Sequence, residues 1–310
     1  MKKMTIENIN EYYKKTFLAI ITLAIFLLIL ILKNFYFHLY NISFENLTNI
    51  ETLIANTTYI IFDIIISILF MIKHKDDTQE QFEKYLKIAG IGLATIIVYC
   101  MTTILELIVL YSLKVNVNNM SITAKTIYLI SCEVLIMGII GLLNHKKLEK
   151  NIKDIKKNYN DYFKKYLKVY ILALVIMMIS NLIINLLTNG IAGNEESIRD
   201  IFNKAPVYMF FSAVLFAPFT EEMVFRQSLK NIITNKKAFI IASGLIFGGL
   251  HVIGNINSLY DILYIIPYAT PGIAFAYMLD KTDNILVPMG IHFLHNGLLM
   301  TLQIIVLLLH

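Results

Sequence analysis

The sequence predicts an all-α fold, a polytopic transmembrane helix bundle of about eight or nine spanning helices, and three observations predict it. First, 57% of the 310 residues are hydrophobic and 16% charged, with mean hydropathy +0.65, whereas ordinary globular domains carry roughly 25% charged residues. Second, apolar runs of about 20 residues, enough to span a bilayer, recur along the whole chain. Third, the lysines gather in every second connection between those runs, the asymmetry that sets the orientation of membrane helices.

The expected spans lie near 16–33, 52–73, 86–113, 125–144, 167–188, 206–228, 237–254, 259–279 and 285–308. Lys2, Lys3, Lys14 and Lys15 precede the first, and no small-residue cleavage site follows its apolar run, so it reads as a retained span rather than a signal peptide. Lys73, Lys75, Lys84 and Lys87 flank the connection after the second. Cys100 and Cys132 fall inside the third and fourth without a spacing motif, as small core residues. The connection 145–166 is long and strongly basic, and is expected to continue helically along the inner membrane surface. Lys230, Lys236 and Lys237 fill the connection after the sixth span, whereas Gly190–Lys204 is acidic on balance. With lysines inside, the N-terminus is cytoplasmic and the C-terminus external, in a multi-pass protein of the bacterial cytoplasmic membrane. The net charge of +5 is modest and sits in loops, which suits membrane lipids with anionic headgroups and not nucleic acid.

All five prolines, at 206, 218, 267, 271 and 288, lie in the last third. Proline is tolerated in spanning helices only where neighbours satisfy the freed backbone groups. Residues 1–200 therefore read as an N-terminal region of about five plain spans, and 205–310 as a bent, specialised bundle.

That second region carries the chemistry. Glu221 and Glu222 follow the apolar run Val207–Thr220, and a carboxylate at membrane depth is costly unless paired or neutralised. Glu222 and Arg226 are four apart, on one helix face, and Arg226 is one of only two arginines, Arg199 being the other. Phe247 and His251 are also four apart, beside Gly244, Gly248 and Gly249, small residues that let another helix approach closely. His292 and Asn296 form a third such pair, with His295 between them. Taken singly, each has a plain explanation: an ion pair at a helix end, or a histidine satisfied in the core. Jointly they are level. If the chain turns back near Asn235–Lys237 and again near Lys281–Asn284, then Glu221, His251 and His292 each lie roughly 15–22 Å from a cytoplasmic turn at 1.5 Å per residue. Their polar groups can then converge in the cytoplasmic half of the bilayer.

A glutamate in a low-dielectric site suits a general base. A histidine can orient a water or hold a metal that acidifies it, and a second histidine with an asparagine amide can donate to a developing oxyanion. The region has no Ser-His-Asp arrangement and no cysteine, which disfavours a covalent intermediate. The His-Glu-x-x-His zinc spacing is also absent, so any metal would draw ligands from separate helices.

In order on separate helices, Glu221-Glu222-Met223-Val224-Phe225-Arg226, Phe247-Gly248-Gly249-Leu250-His251 and His292-Phe293-Leu294-His295-Asn296 resemble the motifs of the CAAX prenyl protease and bacteriocin-processing (CPBP, Abi) family of intramembrane endopeptidases, described as metalloproteases. The resemblance covers about residues 205–300. It implies a cavity open toward the cytoplasm, Glu221 as the base, His251 as its partner on the water, His292 and Asn296 as the oxyanion site, and Glu222, Arg226 and Phe247 in support. It leaves two mechanisms open: zinc held with His251 and His292, or a glutamate-activated water without metal. The implied substrate is a membrane-associated peptide or membrane protein. Such proteins are associated with peptide maturation, bacteriocin immunity and regulation of surface proteins. Two other classes compete. Asp63, Glu106 and Glu133 in earlier spans could relay protons in a coupled transporter, although no inverted repeat is visible. A protease scaffold could also serve as a non-catalytic immunity or binding protein.

Overall fold

The computed structural model describes residues 72–112, 114, 119–188, 190–253 and 259–309. The expected span at 16–33, nearly all of that at 52–73, and Asp63 lie outside the described residues. The chain divides into two units, Met1–Lys87 and Ile88–His310. The described part of the first holds a 2.6 Å contact between His74 Nδ1 and Asp77 Oδ2.

The described residues of the second unit are helical and without strands. In order they form α1 (Gln79–Cys100, which begins in the first unit), α2 (Thr102–Ser112), α3 (Ile122–Leu143), α4 (His145–Thr188), α5 (Gly193–Lys204), α6 (Pro206–Ile232), α7 (Lys236–Ile253), a short 3-10 segment (Leu259–Tyr264), α8 (Ile265–Thr282) and α9 (Leu286–Leu309). Among the described residues, four helices are long and apolar enough to cross a membrane, or five if the pair Gln79–Cys100 and Ile104–Ser112, bent by 51°, is one span. The helices α7 and α9 fill two more of the expected positions. Large apolar side chains point outward along the bundle, with Leu142 at 74% and Leu186 at 72% exposure. In water that surface would be an aggregation liability; against lipid it is ordinary.

Two expectations need correction. The span expected at 86–113 is broken at Met101, where Thr102 Oγ1 donates to Tyr99 O at 2.7 Å, a local side-chain bond that competes with the helical ladder. The basic stretch 145–166 is not a separate surface segment. It continues without interruption into the following span, making α4 a single helix of 44 residues, about 66 Å long against a hydrocarbon core of about 30 Å.

Helix boundaries follow from local chemistry. Ser121 caps α3 by accepting from Ala124 N at 3.2 Å. At the other end, buried Asn144 donates to Ile140 O at 3.0 Å and to Thr95 Oγ1 at 2.9 Å, tying α3 to α1. The turn between α8 and α9 places Asp283 at φ 50, and fully buried Asn284 donates to Asn151 O at 2.9 Å and Asp154 Oδ2 at 2.7 Å. That turn is thereby clamped to the basic half of α4.

The helices α7 and α8 meet through the glycines. A Cβ on Gly248 would stand 2.8 Å from both Ala269 N and Ile265 O, and one on Gly244 would stand 2.3 Å from Ile273 Cγ1. Two of the apolar clusters join most of the helices. Ile136, Ile140, Met223, Phe239, Leu279 and Ile285 join α3, α6, α7, α8 and the start of α9. Tyr166, Tyr170, Phe275, Met278, Val287 and Ile291 join α4 to the α8–α9 hairpin.

Candidate active site

The site is organised by changes of pitch in α6. From Pro206 the helix is α, then π over Ser212–Phe216, α again over Ala217–Glu221, and π over Glu222–Ser228. Pro218 accounts for the first widening. A proline in a helix lacks its N–H and crowds the carbonyl four residues back, here that of Val214. The wider turn, with Ala217 N–H donating to Ser212 O, relieves the crowding. All seven residues of the second π segment are buried, and Ser228 Oγ donates to Met223 O at 2.8 Å. Such segments are rare and frequently sit at functional sites.

Register at this junction separates the adjacent acids. Glu221 is 14% exposed and faces a cavity of about 900 Å³, whereas Glu222 is fully buried behind it. Glu222 Oε1 lies 2.9 Å from His292 Nδ1 and 3.2 Å from Arg226 Nη1. The Arg226 guanidinium, also fully buried, stands over the rings of Phe247 at 4.3 Å and Phe275 at 5.5 Å, a cation–π setting. Because Glu222 takes the Nδ1 side of His292, Nε2 is turned toward Glu221 Oε2, 3.8 Å away.

His251 is fixed in the same manner. Its Nδ1 lies 2.8 Å from Phe247 O, and its ring stacks on Tyr268 with centroids 5.0 Å apart and planes at 26°. An Nδ1–H directed at a carboxylate or carbonyl leaves Nε2 as the acceptor in a neutral imidazole. Asn296 Nδ2 donates to Ala213 O at 2.7 Å, inside the first π segment, and an amide carries a second N–H for another acceptor. Glu221, His251, His292, His295 and Asn296 all line the one cavity, so the convergence expected from equal depths occurs, and Phe247 forms part of its wall.

Tyr170 and Tyr268 were not legible in the sequence. Tyr170, reaching across from α4, bonds His295 Nδ1 at 2.8 Å. The Tyr162-Tyr166-Tyr170 spacing marks an inward face of α4, but nothing in it names His295 as partner. Tyr268 had no signal at all. Glu133 accepts from Ser212 Oγ at 2.7 Å and Tyr208 OH at 3.2 Å, bonding that a structural buried acid needs. Cys132 is buried and Cys100 half-buried, both free.

A metal ion here would have to draw its ligands from these side chains. The two histidines present the right tautomers, each with the opposite nitrogen held as metal-binding imidazoles usually are. Spacing is against it: among the described residues, no group of three or more His, Cys, Asp or Glu side chains could hold an ion.

The cavity also has a direction. Lys147, Lys150 and Lys230 meet at Asp283 at one end of the bundle. The cavity runs the other way, to the end where α5 lies, whose Asn194, Glu195, Arg199 and Phe202 line it. The cavity thus extends away from the lysine-rich end.

An all-helical membrane bundle with an acid and two imidazoles around a buried cavity is the setting that a membrane protease needs. Residues 203–298 match the family described as type II CAAX prenyl endopeptidase Rce1-like, so the resemblance carried by the motifs holds for the region that bears the site. The chain is similar to the membrane-embedded CAAX protease MroQ of Staphylococcus aureus, 28% identical over 230 residues, which are 69% of this chain and 89% of that protein. It is also similar to the putative membrane peptidase YdiL of Bacillus subtilis, 26% identical over 114 residues, or 36% of this chain and 43% of that protein. No solved structure matches it.

Proposed function

We infer that the protein is an endopeptidase of the bacterial cytoplasmic membrane that hydrolyses a peptide bond in a membrane-associated peptide or protein. The observation supporting this most directly is the facing pair at the cavity wall, Glu221 Oε2 and His292 Nε2, 3.8 Å apart, with Glu222 and Arg226 sealed behind them. In the reaction, Glu221 takes a proton from a water whose other O–H is held by His251 Nε2. That water attacks the scissile carbonyl, the remaining N–H of Asn296 donates to the oxyanion, and the proton passes to the leaving amine. Glu222 holds the His292 ring, and Arg226 balances the buried charge. The lysine-rich end, with the N-terminus, faces the cytoplasm.

The test is membrane proteomics of wild type against Glu221→Ala, followed by cleavage of the accumulated protein with purified enzyme. A substrate that accumulates in the variant and is cut only by the wild type is the expected result. Undiminished turnover by folded Glu221→Ala protein would overturn the assignment.

A further inference from the structure

We propose that the cavity takes its substrate from the extracytoplasmic side, so that the protein cuts exported peptides or outward-facing segments of membrane proteins, which enter past α5. The word substrate rests on the peptidase reading; the direction of the cavity does not.

Consider first the path. From Glu221, the lining runs back along α6 through Ala213 to Met209, and forward along α9 from His292 to Gln303. At 1.5 Å per residue each step covers about 16–18 Å. The two helices are antiparallel, since α6 ends and α9 begins at the Asp283 cluster, where Lys230 and the α8–α9 turn meet. Both steps therefore lead to the same end, the one remote from that cluster, and α5 forms the rim.

Charge then decides which end is outside. Three lysines from α4 and α6 bond or approach Asp283, at 2.9, 3.4 and 3.0 Å. The basic half of α4 packs beside them, with buried Asn151 bonded to the α8–α9 turn, and Lys236 and Lys237 open α7 just after the end of α6. At the rim, Arg199 is paired with Glu195, and Glu196 and Asp200 outweigh Lys204. Each lysine near an anionic inner leaflet contributes on the order of 1 kcal/mol, and positive residues are retained on the cytoplasmic side. The rim has no net positive charge to compete. The lysine end faces inward and the cavity outward.

The experiment uses the full chain with Cys100→Ser and Cys132→Ala, adding either Asn203→Cys at the exposed rim or Lys156→Cys on the exposed basic half of α4. Intact cells are treated with a membrane-impermeant maleimide. Labelling of Asn203→Cys in intact cells, and of Lys156→Cys only after lysis, is expected; the reverse pattern overturns the proposal. In a second arm, a membrane-impermeant quenched peptide carrying the cleavage sequence found by proteomics is given to right-side-out and to inverted vesicles, with Glu221→Gln as control. Cleavage only by right-side-out vesicles is expected, and cleavage only by inverted vesicles overturns it. Expected labelling with cleavage by neither preparation removes the substrate half of the proposal along with the peptidase reading, and leaves the direction intact.

Discussion

Glu222 and His292, seventy positions apart in the chain, are joined at 2.9 Å in a fully buried contact that also draws in Arg226 at 3.2 Å. The pairing sets which imidazole nitrogen meets the cavity, so an acid that never touches the cavity controls one that does. Glu222→Gln keeps the shape and removes the charge, leaving a buried guanidinium without its counter-ion. Breaking a buried ion pair from one side costs about 3–5 kcal/mol. Thermal unfolding in detergent should fall steeply, and peptide cleavage should be lost in whatever protein remains folded.

Glu221→Gln is expected to behave differently. Glu221 lines the cavity, with His292 Nε2 3.8 Å away. Removing a general base typically costs 10²–10⁴-fold in rate. Cleavage by purified protein should drop by about that factor, with accumulation in the membrane and thermal stability close to wild type.

Gly248→Val tests the close approach of α7 and α8. Its Cβ would lie 2.8 Å from backbone atoms of Ile265 and Ala269, which cannot swing aside as a side chain could. Overpacking of this kind costs typically about 1–3 kcal/mol. Because His251 is one turn along α7 and stacks on Tyr268 of α8, activity should fall further than stability does. Comparing the melting temperature with the cleavage rate checks this.

At the lysine end, partial burial works to raise the Asp283 carboxyl, but hydrogen bonds from Lys147 and Lys230 outweigh it and hold the group at about 2. An aspartate in an unfolded chain titrates near 3.9. A depressed value in the folded state means stabilisation that is fully present above about pH 4 and is lost as the pH falls through about 2. Asp283→Asn should thus be less stable than wild type near neutrality, with the difference closing over that window. Since Asp283 is 53% exposed, solvent screening keeps the effect small. Thermal melts of both proteins across the pH series measure it.

The helical class, the order of the motifs and the glycine contact at Gly244 and Gly248 were legible, because spacing and composition determine them directly. The opposed fates of Glu221 and Glu222 were not. They depend on a π segment that begins at 222, and a uniform α-helical wheel cannot anticipate a change of pitch. The bonds Asn296–Ala213 and Tyr170–His295 were hidden for another reason: they join residues 83 and 125 positions apart, and no local pattern encodes such partners. The break at Met101 depends on one threonine hydroxyl choosing a carbonyl three residues back. The direction of the cavity needed the placement of α5, whose own sequence reads only as a polar connection.

The uninterrupted course of α4 has a mechanical consequence. One rod carries both the lysine-bearing half and, through Met177 and Asn181, part of the cavity wall. Tilting a rod of about 66 Å by five degrees about its middle displaces each tip by about 3 Å, a distance comparable to a water molecule. A protein that grips the lysine-bearing end of this helix thereby has leverage over the width of the chamber.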